Sequence, residues 1–209
     1  MGLIKLLFND PVAFFLLAVL LLYSVILHEV AHGFVAWRMG DPTAKWLGRL
    51  TLNPIRHIDP IGSLMLLFIG FGWAKPVPVN LDNIPAVKRR KGLILVSAAG
   101  VTANIIIAFC ALLIWRLVSP MPGGIIYNVL YYLAWINIML AAFNLIPIPP
   151  LDGSKILMGF TPESFNRTLM QIEPFGFFIV LGLLLVGLLD PVIHFLQRVI
   201  LTFISLLLP

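Results

Sequence analysis

Charged residues are scarce in this chain, which excludes an ordinary soluble protein. Asp, Glu, Lys and Arg make up 11% of the 209 residues, whereas 60% are hydrophobic. A typical soluble domain carries about 25% charged residues. No polar stretch is long enough to form an added soluble domain. The composition therefore predicts an integral membrane protein with several spans, folded as a single domain over residues 1–209.

Cysteine is almost absent as well, and the excess of positive charge is modest. The single cysteine, Cys110, lies in an apolar run, so no intramolecular disulfide can form. The net charge of +5 could suggest nucleic acid, but basic cytoplasmic loops explain it better in a membrane protein. We therefore expect the lipid bilayer as a partner and no nucleic acid. The N-terminus lacks the pattern of a cleavable signal peptide.

Long apolar runs predict the helices. Residues 11–39, 92–118 and 125–146 predict three membrane-spanning helices, which end at glycine or proline. Two further runs, at residues 174–189 and 191–208, are at the short end of the about 20 residues that a span needs. They predict one or two C-terminal helices. The expected fold is therefore all-α and polytopic, with a three-helix core.

The segment 62–80 departs from this pattern. Its apolar part is too short to cross a membrane, and its end alternates proline with valine, which excludes helix and favours an extended edge strand. That end consists of Lys75, Pro76, Val77, Pro78, Val79 and Asn80. Non-helical backbone at membrane depth is tolerated only where protein buries it or where it lines a wet cavity. We expect a re-entrant loop or a short β-hairpin, with an amphipathic interfacial loop as the alternative.

The first apolar run contains three ionisable residues within five positions, in the pattern HExxH. On a helix, His28 and His32 lie one turn apart on the same face and can bind one zinc ion. Glu29 can then reach a zinc-bound water as general base. Ionisable residues inside a span mark a functional site, because a charged side chain facing lipid is costly. The motif predicts a hydrolytic zinc site within a membrane.

This motif is one ligand short, because a catalytic zinc ion has three protein ligands and one open position. Asp152 is the best candidate, since it is the sole acidic residue near the proline-broken end of the third span. The alternative role for Asp152 is that of a helix N-cap. The weaker candidates are two residues in a polar loop and two that the predicted topology places on the opposite side of the membrane. They are His57 and Asp59, and Asp190 and His194.

The basic residues predict the orientation. Eleven of the 14 Lys and Arg residues lie at or in the connections after the first and third spans. By the positive-inside rule these connections, residues 40–91 and 154–172, face the cytoplasm, so the N-terminus lies outside. The metal site would then lie toward the cytoplasmic side of a cell membrane, and a prokaryotic plasma membrane is the expected location.

Three motifs resemble the site-2 protease family of intramembrane zinc metalloproteases. They are HEVAH at residues 28–32, NLIPIPPLDG at residues 144–153 and GVTAN at residues 100–104. The resemblance implies one zinc ion bound by His28, His32 and Asp152, with Glu29 as base. It also implies substrates that are transmembrane proteins, and we expect pre-cleaved single-span proteins. The chain resembles the short prokaryotic members, because it has no room for a PDZ domain or a CBS pair.

Two asparagine amides in otherwise apolar spans, Asn144 and Asn104, are the candidates for stabilising the oxyanion. For Asn104 the alternative is an interhelical hydrogen bond. Residues 75–80 could pair with an unwound substrate by strand addition. A metal-ion transporter and a catalytically idle membrane scaffold are the other function classes. Polar residues confined to one side disfavour the transporter, and the intact Glu29 disfavours the scaffold, so regulated intramembrane proteolysis is the expected function.

Overall fold

The computed structural model describes residues 4–70 and 72–209, which form nine α-helices and two short 3-10 turns without any β-strand. The helices are α1 (Ile4–Asn9), α2 (Pro11–Met39), α3 (Thr43–Trp46), α4 (Pro60–Ile69), α5 (Ala86–Val118), α6 (Ile125–Asn144), α7 (Asp152–Met158), α8 (Glu163–Leu185) and α9 (Asp190–Leu207). The 3-10 turns are Pro54–Arg56 and Leu81–Asn83. By length and composition, α2, α5, α6, α8 and α9 can each cross a membrane. The predicted all-α polytopic fold is confirmed.

Local signals in the sequence fix both ends of α2. The Asp10 side chain accepts a hydrogen bond from the Ala13 amide, and Pro11 occupies the first helical position. The helix ends at Gly40, whose φ of 114° lies in the left-handed region that favours glycine. These bounds, 11–39, are those predicted from the sequence. The HExxH motif therefore lies within one unbroken helix, in its C-terminal half.

The core of the bundle lies where α5, α6 and α9 meet. Val101 and Ala108 of α5 form one buried cluster with Ile138 of α6 and Ile200 and Ile204 of α9. α5 also packs against α2. Small side chains on α5 let neighbouring helices approach closely, as is common in membrane helix packing. The central helix α5 thus contacts each of the other core helices.

The turn between α8 and α9 corrects the predicted topology of the C-terminal region. Leu189 and Ile193, at the start of α9, share a buried cluster with Ile146 and Leu151, which flank the proline-rich turn. Asp190 and His194 therefore lie at the end of the bundle that carries Asp152, and their placement on the opposite side was wrong. The physical reason is that the middle of α8 lies against the proline-rich turn, since a Cβ on Gly176 would be 2.3 Å from the Pro149 carbonyl oxygen, and the chain turns into α9 close to that point.

The segment after α3 forms a helix that the chain then folds back against. Asp59 caps α4 by accepting a hydrogen bond from the Gly62 amide at 2.8 Å. A Cβ on Gly62 would lie 2.1 Å from the Trp73 carbonyl oxygen, so the returning chain touches α4 directly. Residues 72–80 are then non-helical and form no strand pair. The re-entrant fold-back fits the prediction, whereas the β-hairpin alternative was wrong, because Pro76 and Pro78 lack the N–H groups that a ladder requires.

Candidate active site

Three potential metal ligands converge where α2 meets the start of α7. The Nε2 atoms of His28 and His32 are 3.0 Å apart, and each lies 3.2 Å from Asp152 Oδ2. In a tetrahedral zinc site with bonds of 2.0–2.1 Å, two ligand atoms are about 3.3 Å apart. The observed triangle therefore has the size of one face of such a site. Among the described residues, this is the one group of three metal-ligating side chains that converges.

The hydrogen bonds behind the histidines define which ring nitrogen carries the proton. The Asn137 amide nitrogen donates to the Leu133 carbonyl oxygen at 2.8 Å, so the Asn137 Oδ1 atom is an acceptor. The Asn104 amide nitrogen donates to this Oδ1 at 2.7 Å, which leaves Asn104 Oδ1 to accept from His28 Nδ1 at 2.6 Å. His32 Nδ1 similarly donates to the Val96 carbonyl oxygen at 2.7 Å. In neutral rings both Nε2 atoms therefore present lone pairs to the site.

Asp152 contributes a third lone pair to the same point. Its Oδ2 atom is buried and accepts no hydrogen bond. Three lone pairs facing one another at about 3 Å repel unless a cation lies between them, and an unpaired buried carboxylate oxygen is costly. The donor set, two imidazoles and one carboxylate, is one that zinc prefers. The residues present therefore fit a catalytic zinc ion.

Two glycines make the close approach of these ligands possible. A Cβ on Gly153 would lie 2.2 Å from the Leu145 carbonyl oxygen, so glycine lets α7 fold back against the end of α6 and bring Asp152 inward. A Cβ on Gly100 of α5 would lie 2.4 Å from His32 Nε2 and 2.5 Å from His28 Nε2. The GVTAN segment thus provides space through Gly100 and a hydrogen bond through Asn104.

Glu29 lies beside the ligands and is held by the extended segment. Its Oε2 atom accepts a hydrogen bond from the Val77 backbone amide at 2.8 Å. The buried Val77 side chain lies over Gly33, where a Cβ would be 2.8 Å from Val77 Cγ1. The structure therefore brings the segment 75–80, which the sequence analysis assigned to substrate binding, into direct contact with the predicted base.

The two oxyanion candidates have different surroundings. Asn104 is fully buried behind His28, on the side of the ring that faces away from Asp152, and both of its amide atoms are hydrogen-bonded. Asn144 is partly buried, and its amide nitrogen donates to the Leu140 carbonyl oxygen of its own helix at 2.9 Å. The geometry of Asn104 favours the interhelical hydrogen bond, and the oxyanion role of Asn144 stays a prediction.

The weaker ligand candidates do not join the metal site. His57 is fully buried, with its Nε2 atom 2.8 Å from the Thr51 carbonyl oxygen. Asp59 is the cap of α4, and His194 Nδ1 lies 3.1 Å from Gln197 Oε1. Two further residues, Ser24 and Asn137, were not predicted from the sequence. They complete the hydrogen-bonded chain behind His28, where Asn137 Nδ2 donates to Ser24 Oγ at 2.8 Å. A signal for both existed, since each is a polar residue in an apolar span.

Comparison with known proteins places the chain among zinc metalloproteases. The model of peptidase family M50 matches residues 119–187, which include Asp152 but neither histidine. YwhC of Bacillus subtilis (strain 168), named as a zinc metalloprotease, is 39% identical over 177 residues, covering 80% of this chain and 78% of YwhC. Rip2 of Mycolicibacterium smegmatis, named likewise, is 32% identical over 169 residues, covering 78% of this chain and 64% of Rip2. No solved structure matches the chain.

The relationship to YwhC extends over most of both chains. An archaeal relative, MJ0392 of Methanocaldococcus jannaschii, is 28% identical over 184 residues, which span 87% of this chain and 45% of MJ0392. It too is named a zinc metalloprotease. The predicted family, enzyme class and zinc cofactor are confirmed. This multi-pass membrane protein belongs to peptidase family M50, the site-2 protease family of zinc metalloproteases.

Proposed function

We propose that this metalloprotease hydrolyses peptide bonds within or near the transmembrane segments of membrane-protein substrates, in regulated intramembrane proteolysis. The observation that carries the proposal is the position of the three ligands and Glu29, of which all but Asp152 lie on the apolar helix α2. A site at this depth meets a substrate that is itself in the bilayer. Pre-cleaved single-span proteins are the expected substrates, because they lack a bulky domain that would keep their helix from the site.

The residues of the site divide the chemistry between them. His28, His32 and Asp152 would hold the zinc ion, which when bound activates water and polarises the substrate carbonyl. Glu29 is placed to accept a proton from that water and to return it to the leaving amine. The Val77 amide holds Oε2 of Glu29, which fixes the orientation of the carboxylate and leaves Oε1 for the proton. Asn144 is the candidate for stabilising the oxyanion.

The segment 75–80 supports substrate binding by strand addition, with one restriction. Its two prolines have no N–H, so the segment has four backbone donors. Three of them are bound within the chain: Lys75 to the His57 carbonyl, Val77 to Glu29 and Asn80 to Asp41. An incoming strand would therefore donate its own N–H groups to carbonyls of the segment. It would accept few hydrogen bonds from the N–H groups of the segment.

The charge distribution supports a cytoplasmic site in the plasma membrane of a prokaryote. Lys88, Arg89, Arg90 and Lys91 lie at the start of α5, the end of that helix nearest the metal ligands. The positive-inside rule assigns such a cluster to the cytoplasm. A transporter would carry ionisable residues through the full membrane depth, whereas His28, Glu29 and His32 all lie in the C-terminal half of α2.

A matched pair of variants tests the proposal. Purified protein is reconstituted with a single-span substrate, and cleavage is compared for wild type, Glu29→Gln and Glu163→Gln. Glu163 is an exposed control at the start of α8, with 71% of its side chain accessible. Glu29→Gln should retain zinc but lose cleavage by about 10²–10⁴-fold, because an amide cannot accept the proton. Glu163→Gln should behave as wild type.

Two outcomes would contradict the proposal. Cleavage by Glu29→Gln at the wild-type rate would show that Glu29 is not the base. Cleavage of a soluble peptide but not of the same sequence within a membrane span would place the reaction outside the bilayer. For the second outcome, mass spectrometry of the products locates the cleaved bond relative to the apolar segment.

A further inference from the structure

A buried carboxylate follows the left-handed glycine that ends α2. Asp41 is fully buried, and the structure pairs it with no cation among the described residues. Neutral groups satisfy it instead: the amide and hydroxyl of Thr43, the amide nitrogen of Asn83 at 2.8 Å and the backbone amide of Asn80 at 2.7 Å. Burying an unpaired charge is costly unless hydrogen bonds compensate it fully, so this arrangement holds its partners in one geometry.

The partners of Asp41 belong to two parts of the chain that are far apart in sequence. Thr43 begins α3, directly after α2, whereas Asn80 and Asn83 lie about 40 residues later, at the end of the extended segment. Asp41 therefore ties the end of α2 to the end of the segment 75–80. At the other end of that segment, Arg49 Nη2 donates to the Lys75 carbonyl oxygen at 2.8 Å.

Between these two attachments lies the contact with the site. Val77 donates to Glu29 at 2.8 Å, and its side chain rests on Gly33. The register of the segment along α2 decides whether the Val77 amide reaches Glu29 Oε2. Asn80, whose backbone amide donates to Asp41, lies three residues further along the chain.

We propose that Asp41 is a positioning residue for the reaction: by binding Asn80 and Asn83 it holds the segment 75–80 in the register that lets the Val77 amide orient Glu29. The inference rests on the proposed function, in which Glu29 is the base. Asp41 touches neither the metal ligands nor Glu29, so it acts through the segment alone. A shift of the segment by about 1 Å is enough to cost up to about 100-fold in rate when it displaces a catalytic group.

The test compares Asp41→Asn with Asp82→Asn in the full chain. Asp82 is a matched control, because it lies in the same turn as Asn83, has 83% of its side chain exposed and pairs with Arg89 at 3.5 Å. Asp41→Asn should keep zinc and should lower kcat about 10- to 100-fold, with KM changed by less than about twofold. Asp82→Asn should leave both constants unchanged. Asn83→Ala should cause a smaller fall, and combining it with Asp41→Asn should add little, because the two residues act as one unit.

Hydrogen exchange gives a readout that general destabilisation would not produce. In Asp41→Asn, peptides that cover residues 72–85 should exchange faster, while peptides from α2 and α5 should exchange as in wild type. Glu29→Gln should lose cleavage yet keep slow exchange in this segment, because the glutamine carbonyl still accepts from Val77. This contrast separates failure of the inference from failure of the proposed function, which would appear as an inactive wild type or an active Glu29→Gln.

Three results would overturn the inference. One is wild-type kcat in Asp41→Asn at full zinc content. A second is a rise in KM without a change in kcat, which would limit Asp41 to substrate binding. The third is faster exchange throughout α2 and α5 or loss of zinc, which would make Asp41 a residue that stabilises the fold as a whole.

Discussion

Removing the Asn104 side chain should weaken zinc binding without direct contact with the metal. In the variant Asn104→Ala, His28 Nδ1 loses the acceptor that it has at 2.6 Å. His28 is then free to rotate or to adopt the other tautomer, in which Nε2 carries the proton and cannot bind zinc. Loss of such a partner behind a ligating histidine typically costs 10–100-fold in metal affinity, or about 1.4–2.7 kcal/mol.

The best control for this variant is Asn137→Ala. Both asparagines are fully buried, and each substitution removes hydrogen bonds from buried polar groups, at a cost to folding of about 1–3 kcal/mol for each group left without a partner. The difference is that Asn137 does not touch a histidine, since its bonds go to Ser24, Leu133 and Asn104. Asn137→Ala should therefore lower stability similarly but reduce zinc affinity by less than about threefold.

Zinc affinity is measured by competition with a chelator of known affinity, and folding is followed by circular dichroism in the same detergent. An unchanged zinc dissociation constant in Asn104→Ala would refute the reasoning, since the hydrogen bond would then not orient His28. Equal losses of affinity in both variants would refute it as well, because the effect would follow from loosened packing and not from the imidazole.

Further predictions concern the ligands, the packing, the pH dependence and the topology. Asp152→Ala should lose zinc and cleavage, and Asp152→Asn should retain more zinc but little activity; full zinc content in Asp152→Ala would return Asp152 to a capping role. Gly100→Ala should abolish zinc binding, since its Cβ would lie 2.4 Å from His32 Nε2. The control Gly182→Ala should bind zinc normally, because no atom lies within 4 Å of the added Cβ, and metal analysis compares the zinc content of the two variants. Burial alone would raise the pKa of Asp41, but hydrogen bonds from Asn83, Thr43 and Asn80 lower it. Asp41 therefore adds stability above its unfolded pKa of about 3.9, and this is lost as the pH falls through the lowered folded value. The melting-temperature difference between wild type and Asp41→Asn should therefore narrow from about pH 6 to about pH 3. A difference that stays constant over this range would contradict a lowered pKa of Asp41. With Cys110 replaced by Ser, single cysteines at Lys45 and Arg89 should react with a reagent from the cytoplasm and one at Gly123 from outside, and the reverse pattern would invert the orientation.

The parts of the fold that were predictable from sequence are those encoded locally. Helix α2 is read from an apolar run with a capping aspartate before it and a glycine after it. The spacing of His28 and His32 on that helix fixes their relation before any tertiary contact is known. Asp152 was identified because few polar groups lie in the neighbouring apolar sequence, which reduces the choice of a third ligand.

The parts that escaped prediction depend on contacts between distant residues. Ser24 and Asn137 are 113 residues apart, and Glu29 and Val77 are 48 apart, so no local pattern joins them. The direction of α9 was missed for a related reason. Hydropathy reports that a run is apolar and how long it is, but the contact of Leu189 with the proline-rich turn depends on how α8 packs.

The two prolines of the extended segment also bear on how copies of this protein behave beside one another in a crowded bilayer. An exposed extended segment next to a protease site is a potential point of aggregation, because a second copy could add to it edge to edge. Residues 75–80 have four backbone N–H groups, and three are already bound within the chain. Two such segments would face each other mostly with carbonyl groups and would pair poorly. A chain whose N–H groups are free can donate them to the carbonyl groups of this segment. The prolines therefore disfavour pairing between two copies of the enzyme and leave the segment available to other sequences.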